Sequence, residues 1–172
     1  LYQNFIAKGE IQFSAGNFRY IGKVILQVDV DKIRIDFLQP GIFSLHPAPD
    51  FSAVLVHDQW YLHFPKNPTN DKPHLQEDPT IHYRPLLYTF PVLLGWTFSP
   101  IAQRETIQCK MAGERITQWQ FPEWQLRLEI TYKGNDFSQW ELYHPDFHAN
   151  ILWNQIKKTE IPEKNFYPSF VH

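Results

Sequence analysis

The sequence predicts a mainly-β protein, an antiparallel half-barrel (an unclosed β-barrel) of about ten to eleven strands with a short helical or apolar lid. Three observations carry that expectation. Apolar and polar residues alternate with period two along most of the chain, the signature of strands with one covered face. Six Trp, eight Tyr and fourteen Phe raise the aromatic fraction to 16%, and such side chains suit a pleated, half-covered surface. One dense apolar run, Arg84–Phe98, breaks the alternation and stands apart from the strands.

The strands follow in order. Asn4–Phe13 sets Phe5, Ala7, Gly9, Ile11 and Phe13 on one face against Lys8, Glu10 and Gln12 on the other. Ala15-Gly16-Asn17 is a turn. Phe18–Val30 alternates again, with Phe18, Tyr20, Val24, Leu26, Val28 and Val30 in phase, and its length predicts a bend near Gly22. Asp31-Lys32 turns into Lys32–Leu38, where Ile33, Ile35 and Phe37 oppose Arg34 and Asp36. After Gln39-Pro40-Gly41 a fourth strand is expected at Ile42, Phe43 and Leu45, then a corner at Pro47-Ala48-Pro49-Asp50. Phe51–Val56 is apolar on both faces, which predicts cover on both sides. A turn at His57-Asp58-Gln59 leads to Trp60–Phe64.

Pro65–Tyr83 is polar and proline-rich and is expected to be a long loop delivering the apolar run. Strands resume at Thr106–Met111, Arg115–Phe121, Trp124–Lys133, Phe137–Tyr143 and His148–Lys158, separated by turns at Ala112-Gly113-Glu114 and Gly134-Asn135-Asp136 and by the His144-Pro145-Asp146 link. The tail Glu160–Phe170, with Pro162 and Pro168, is expected to lie irregularly along an edge.

The run Arg84–Phe98 is shorter than the roughly 20 apolar residues of a bilayer crossing, and Pro85 and Pro91 interrupt it. Pro91 removes a backbone donor and disfavours helical geometry at Phe90, so two short turns fit better than one helix. The run is therefore expected to cover the hollow of a curved sheet as a lid or plug. A core segment with no ligand beneath it would read the same way.

Composition narrows the function. The 172 residues suit one domain with a sizeable core, and 43% hydrophobic with 20% charged residues argues against disorder. A net charge of −2 with interspersed signs offers no basic stripe for a phosphate backbone, so no nucleic-acid partner is expected. One cysteine, Cys109, excludes an internal disulfide framework, and its alternation with Ile107 and Met111 predicts a buried, inert thiol. Neither a signal peptide nor a spanning segment is visible, and the start at Leu1 leaves room for a preceding segment.

Catalysis and metal binding find little support. No Gly-x-Ser-x-Gly elbow, phosphate-cradling glycine loop or dinucleotide fingerprint occurs, and Glu123, Glu129 and Glu141 fall on polar strand faces. Eight histidines include His57 with His63 around a hairpin, and His144 with His148 beside Asp146, but no compact zinc pattern. No enzyme activity, cofactor or metal is expected.

The order of short motifs resembles the outer-membrane lipoprotein localisation factors, the LolA/LolB-like fold, and within it the LolB-like branch. Phe5-Ile6-Ala7-Lys8-Gly9-Glu10-Ile11 resembles the opening strand, and Gly22 to Leu38 the next two. Leu38-Gln39-Pro40-Gly41 resembles the turn after the third strand, Leu93-Leu94-Gly95 the apolar segment, and Ile161-Pro162-Glu163-Lys164-Asn165-Phe166 the closing one. The resemblance spans nearly the whole chain through short, degenerate motifs. It implies an unclosed barrel of about eleven strands with helices as a lid, and a cavity for the acyl chains of lipoproteins. It also implies a membrane-contacting tip at Ile42 and Phe43. The branch is itself anchored by an acylated cysteine; Leu1 is not that residue, so anchoring would depend on a preceding segment.

The resulting expectation is a protein that binds lipoprotein acyl chains and takes part in their localisation or insertion at the outer membrane. A periplasmic carrier would be a partner, and the protein would sit at the periplasmic face of the outer membrane or be soluble in the periplasm. The expected wall is Leu26, Ile35, Phe37, Leu55, Leu62, Leu126 and Leu128, and the lid supplies Leu87, Phe90, Leu93, Leu94 and Trp96. Any one of these wall residues reads more readily as simple core than as a ligand contact, since every half-barrel needs a core. A module for another hydrophobic ligand or lipid, and a structural envelope protein without ligand, are the alternatives.

Overall fold

A computed structural model describes residues 4–38, 49–56, 59–63, 107–122 and 125–168, with the side chains of residues 59 and 60 left aside. The expected fourth strand at 42–45, the turn at 57–58, the loop from 65, the run 84–98 and position 124 lie outside the described residues.

Ten strands form one antiparallel sheet: β1 (Asn4–Ala15), β2 (Phe18–Asp29), β3 (Lys32–Leu38), β4 (Phe51–Val56), β5 (Gln59–His63), β6 (Gln108–Ala112), β7 (Arg115–Phe121), β8 (Leu126–Lys133), β9 (Asp136–His144) and β10 (Phe147–Lys158). Their spatial order is β5-β4-β3-β2-β1-β10-β9-β8-β7-β6. The first strand is thus central, and two meanders leave it in opposite directions. Among the described residues nothing pairs β5 with β6, so the sheet is not closed. Right-handed twist accumulates across a sheet this wide, which curls it into a half-barrel.

Three bulges add to the bending, and each extra residue is small and polar. In β10 the pairs Gly9↔Trp153 and Lys8↔Gln155 skip Asn154. In β7 the pairs Lys110↔Gln118 and Met111↔Ile116 skip Thr117, and in β9 the pairs Thr131↔Gln139 and Tyr132↔Phe137 skip Ser138. Two of these residues serve the opposite strand: Thr117 Oγ1 donates to the Lys110 carbonyl at 3.4 Å, and Ser138 Oγ donates to the Thr131 carbonyl at 3.2 Å. The β1–β2 register runs unbroken from Asn4↔Asp29 to Ala15↔Phe18, so no bulge accompanies the bend expected near Gly22, and Gly22 serves close approach. A Cβ at that position would fall 2.5 Å from the Tyr20 hydroxyl and 2.6 Å from the Leu38 carbonyl oxygen.

Antiparallel alternation puts the β2–β3, β6–β7 and β8–β9 turns at one end of the sheet. The β1–β2 and β9–β10 hairpins, the departure after Leu38, the departure after His63 and the return into β6 share the other. The segments holding the expected lid and the expected tip therefore leave the described fold at the same end.

The outer face is polar over most of its width, with Lys8, Glu10 and Gln12 exposed. Over β2 to β4 it is not. Val54, Val56, Ile161 and Phe166 form a second buried cluster with Ile6 packed against it, which is why Phe51–Val56 is apolar on both faces. The tail thus crosses the outer face of β3 and β4 through the 3-10 helix Glu163–Phe166, rather than running along an edge. Asp36, which the alternation sets opposite Ile35 and Phe37, is only 6% exposed beneath it. There it accepts two bonds from Arg34 Nε at 3.0 and 2.9 Å and one from Ser52 Oγ at 2.6 Å. Arg34 Nη1 also donates to the Asn165 carbonyl at 2.8 Å, and Asn165 Nδ2 donates to Gln27 Oε1 at 2.9 Å. A buried carboxylate with three such bonds is compensated for its lost hydration.

Candidate functional site

The inward face of the sheet is one continuous apolar surface. It gathers Phe5, Ala7, Ile11 and Phe13 of β1, Val24, Leu26 and Val28 of β2, and Ile33 and Ile35 of β3. The far half supplies Leu126 and Leu128 of β8, Phe137, Trp140 and Leu142 of β9, and Phe147, Ala149, Ile151 and Trp153 of β10.

The expected wall residues fall together on this surface. Leu26, Ile35, Leu55, Leu126 and Leu128 are buried members, and Phe37 and Leu62 pack against them half-buried. Leu26, Ile35 and Leu128 have no exposed surface at all, so a ligand reaches them only if neighbours move. Tyr20, Phe37, Phe51, Leu62, Trp119 and Ile130 pack against this cluster half-buried. Leu87, Phe90, Leu93, Leu94 and Trp96 of the expected lid, and Ile42 and Phe43 of the expected tip, lie outside the described residues.

Two aromatic groupings were not visible in the sequence. Phe137, Trp140 and Trp153 meet one another with centroids 5.0, 5.1 and 5.7 Å apart, and Phe5 joins Phe137 at 6.0 Å. The bulge at Ser138 makes this possible, because it turns Phe137 and Trp140, three residues apart, onto the same face. At the open end of the sheet a row of rings runs from Phe18 through Phe13 and Phe147 to His144, with spacings of 6.2, 5.6 and 4.8 Å. Phe18 and Val30, expected in phase with Leu26, are 54% and 62% exposed: Phe18 opens β2, and Val30 lies past its end in the turn to β3.

Cys109 is exposed, not buried. It lies on β6, which among the described residues has a neighbour on one side only and is exposed at every residue. The described histidines are held by ring and hydrogen-bond contacts: His144 Nδ1 accepts the Asp146 N–H at 3.1 Å, and His148 lies against Tyr143 at 5.0 Å. Glu129 and Glu141 face outward, Glu129 to Arg127 at 3.2 Å and Glu141 to Gln139 Nε2 at 2.7 Å. Among the described residues no group of three or more His, Cys, Asp or Glu is placed to hold a metal ion.

The inward face also carries polar groups, among them the Tyr20 hydroxyl. The Tyr20 hydroxyl is buried and has no hydrogen-bond partner among the described residues. Burial, and then the negative charge of Asp50, push its pKa up to about 12. The unfolded chain releases this proton near pH 10. Between about pH 10 and 12 the native state therefore holds more protons than the unfolded one, and stability falls as pH rises through that window. Tyr20→Phe is expected to flatten this part of an alkaline stability profile read by urea denaturation; an unchanged slope would place the hydroxyl in water.

A scan against protein-family models finds no match, and no curated protein matches the chain in sequence. Among solved structures, a LolA superfamily protein from Nitrosomonas europaea is similar over 96% of this chain and 90% of its own, with a TM-score of 0.57 and 7% identity. With so low an identity, what the two chains share is the fold, and the half-barrel described here is a LolA-like unclosed barrel.

Proposed function

We propose that the protein binds acyl chains of lipoproteins against the inward face of its half-barrel and takes part in lipoprotein localisation or insertion at the outer membrane, in the manner of the LolB-like branch. The supporting observation is that the strands from β5 across to β7 of an unclosed sheet turn one apolar face the same way. An open sheet with such a lining is suited to an apolar ligand.

No bond is made or broken in this reading. An acyl chain passes from a periplasmic carrier to whichever site offers the better apolar fit, so the difference in affinity sets the direction. The protein would act at the periplasmic face of the outer membrane, anchored through a preceding segment or free in the periplasm, touching the inner leaflet peripherally.

Burial of roughly ten methylenes contributes about 8 kcal/mol, which corresponds to a dissociation constant of about 1 μM. Titration with a fluorophore-labelled fatty acid is expected to saturate on that scale. A signal that never saturates would sink the proposal and favour a second reading, a structural envelope protein with a filled core. The complete burial of Leu26, Ile35 and Leu128 is the observation on that side. Mass spectrometry of co-purified lipids separates lipoprotein-type acyl chains from another hydrophobic ligand.

A further inference from the structure

We propose that Tyr20 is a specificity-determining residue of the acyl site, its hydroxyl donating a hydrogen bond to the carbonyl oxygen at the head of a bound acyl chain. The inference rests on the acyl-binding reading above and names the part of the ligand that the wall recognises.

Tyr20 packs half-buried against the apolar cluster, near the end of the sheet where the chain departs after Leu38 and His63. It stands opposite Phe13 in the β1–β2 register. Its ring lies over Gly22, the residue whose missing side chain makes room for it: a Cβ there would fall 2.7 Å from the ring as well as 2.5 Å from the hydroxyl. The ring is thus seated on the backbone, and the hydroxyl is brought to a fixed place in a mostly apolar surface.

That hydroxyl is shut off from solvent without an acceptor among the described residues. A buried donor left unpaired is a standing cost, so such a group calls for a partner that arrives. Trp153 Nε1 is also buried without an acceptor, but its ring meets Phe137 and Trp140 nearly edge-on, at 76° and 75°. Ring faces can take up an N–H hydrogen in such arrangements. Tyr20 has no ring contact of that kind in the structure described.

The donor stays a donor under all physiological conditions, since its proton is held well above neutral pH. What it would take is a neutral acceptor at the end of an apolar chain. An ester or amide carbonyl fits; a free carboxylate fits less well, because the negative Asp50 acts on the same hydroxyl.

The test compares wild type and Tyr20→Phe by displacement of a fluorophore-labelled fatty acid, with methyl laurate, N-methyl lauramide and dodecane as competitors. Losing one neutral hydrogen bond is expected to weaken the ester and the amide roughly five- to tenfold in the variant, with dodecane unchanged. Equal affinities of the two proteins for all three competitors would overturn the assignment while leaving acyl binding intact. Uniform weakening of all three, dodecane included, would make Tyr20 a packing residue and overturn it as well. Wild type that binds none of the competitors would remove the acyl-binding reading itself, an outcome distinct from the other two. Thermal unfolding checks the variant, whose fold is expected to be at least as stable, since the substitution removes an unpaired buried group.

Discussion

Gly9→Ala is expected to destabilise the protein by about 3 kcal/mol or more, although it adds a single methyl group. Gly9 lies in β1, the strand on which both meanders are hung, and pairs with Trp153 just where Asn154 bulges out of β10. The bulge carries the β10 backbone toward Gly9. A Cβ there would run into the Leu152 carbonyl, 3.1 Å from its carbon, and lie 3.2 Å from the Trp153 Cα. These are backbone atoms of a paired strand, so no rotamer change relieves the clash. The ladder must open locally, and Trp153, the register partner of Gly9, loses its seating. Urea denaturation reads the effect as a lower midpoint. A midpoint shift worth less than about 1 kcal/mol would mean that the two strands do not approach this closely.

The second large effect is expected on the opposite face. Asp36→Ala removes the acceptor shared by Arg34 and Ser52 and leaves a guanidinium under the tail with one partner fewer. Breaking a buried ion pair by deleting one member costs about 3 kcal/mol, since the remaining charge stays desolvated. Arg34 also holds the Asn165 carbonyl, so the tail should loosen with it. Hydrogen exchange would show residues 161–166 opening first. Glu129→Ala is the natural comparison, because the Arg127–Glu129 pair is 45% exposed on both sides. That pair is worth below about 1 kcal/mol. Equal losses in the two variants would mean that the tail does not seal Asp36 from water.

Much of the fold was legible because strand alternation is a local property. Lys32–Leu38, Phe51–Val56 and Arg115–Phe121 have the limits that the pattern predicts, and the inward set of β1 is buried residue for residue. Apolarity on both faces of β4 correctly foretold a second cover, although not its source. The common face of Leu26, Ile35, Leu55, Leu126 and Leu128 was legible for the same reason, each being in phase with its neighbours along the strand.

The misreadings share one cause. Alternation says which residues share a face, but not what lies over it. Asp36 alternates with Ile35 and Phe37 as any solvated residue would, and only the return of residues 161–166, more than a hundred positions later, buries it. Cys109 alternates like a core thiol and is exposed on a strand that, among the described residues, ends the sheet.

By itself, then, the sequence determined the strands, their antiparallel succession through tight turns, and the apolar side of each. Short-range sterics and period-two patterning settle those within a few residues. The tertiary structure alone decided the order with β1 at the centre, the bulge that turns Phe137 and Trp140 to the same side, the tail across β3 and β4, and the seclusion of the Tyr20 hydroxyl. Each of these is a contact between segments far apart in the chain, and no local pattern encodes which distant segment will arrive.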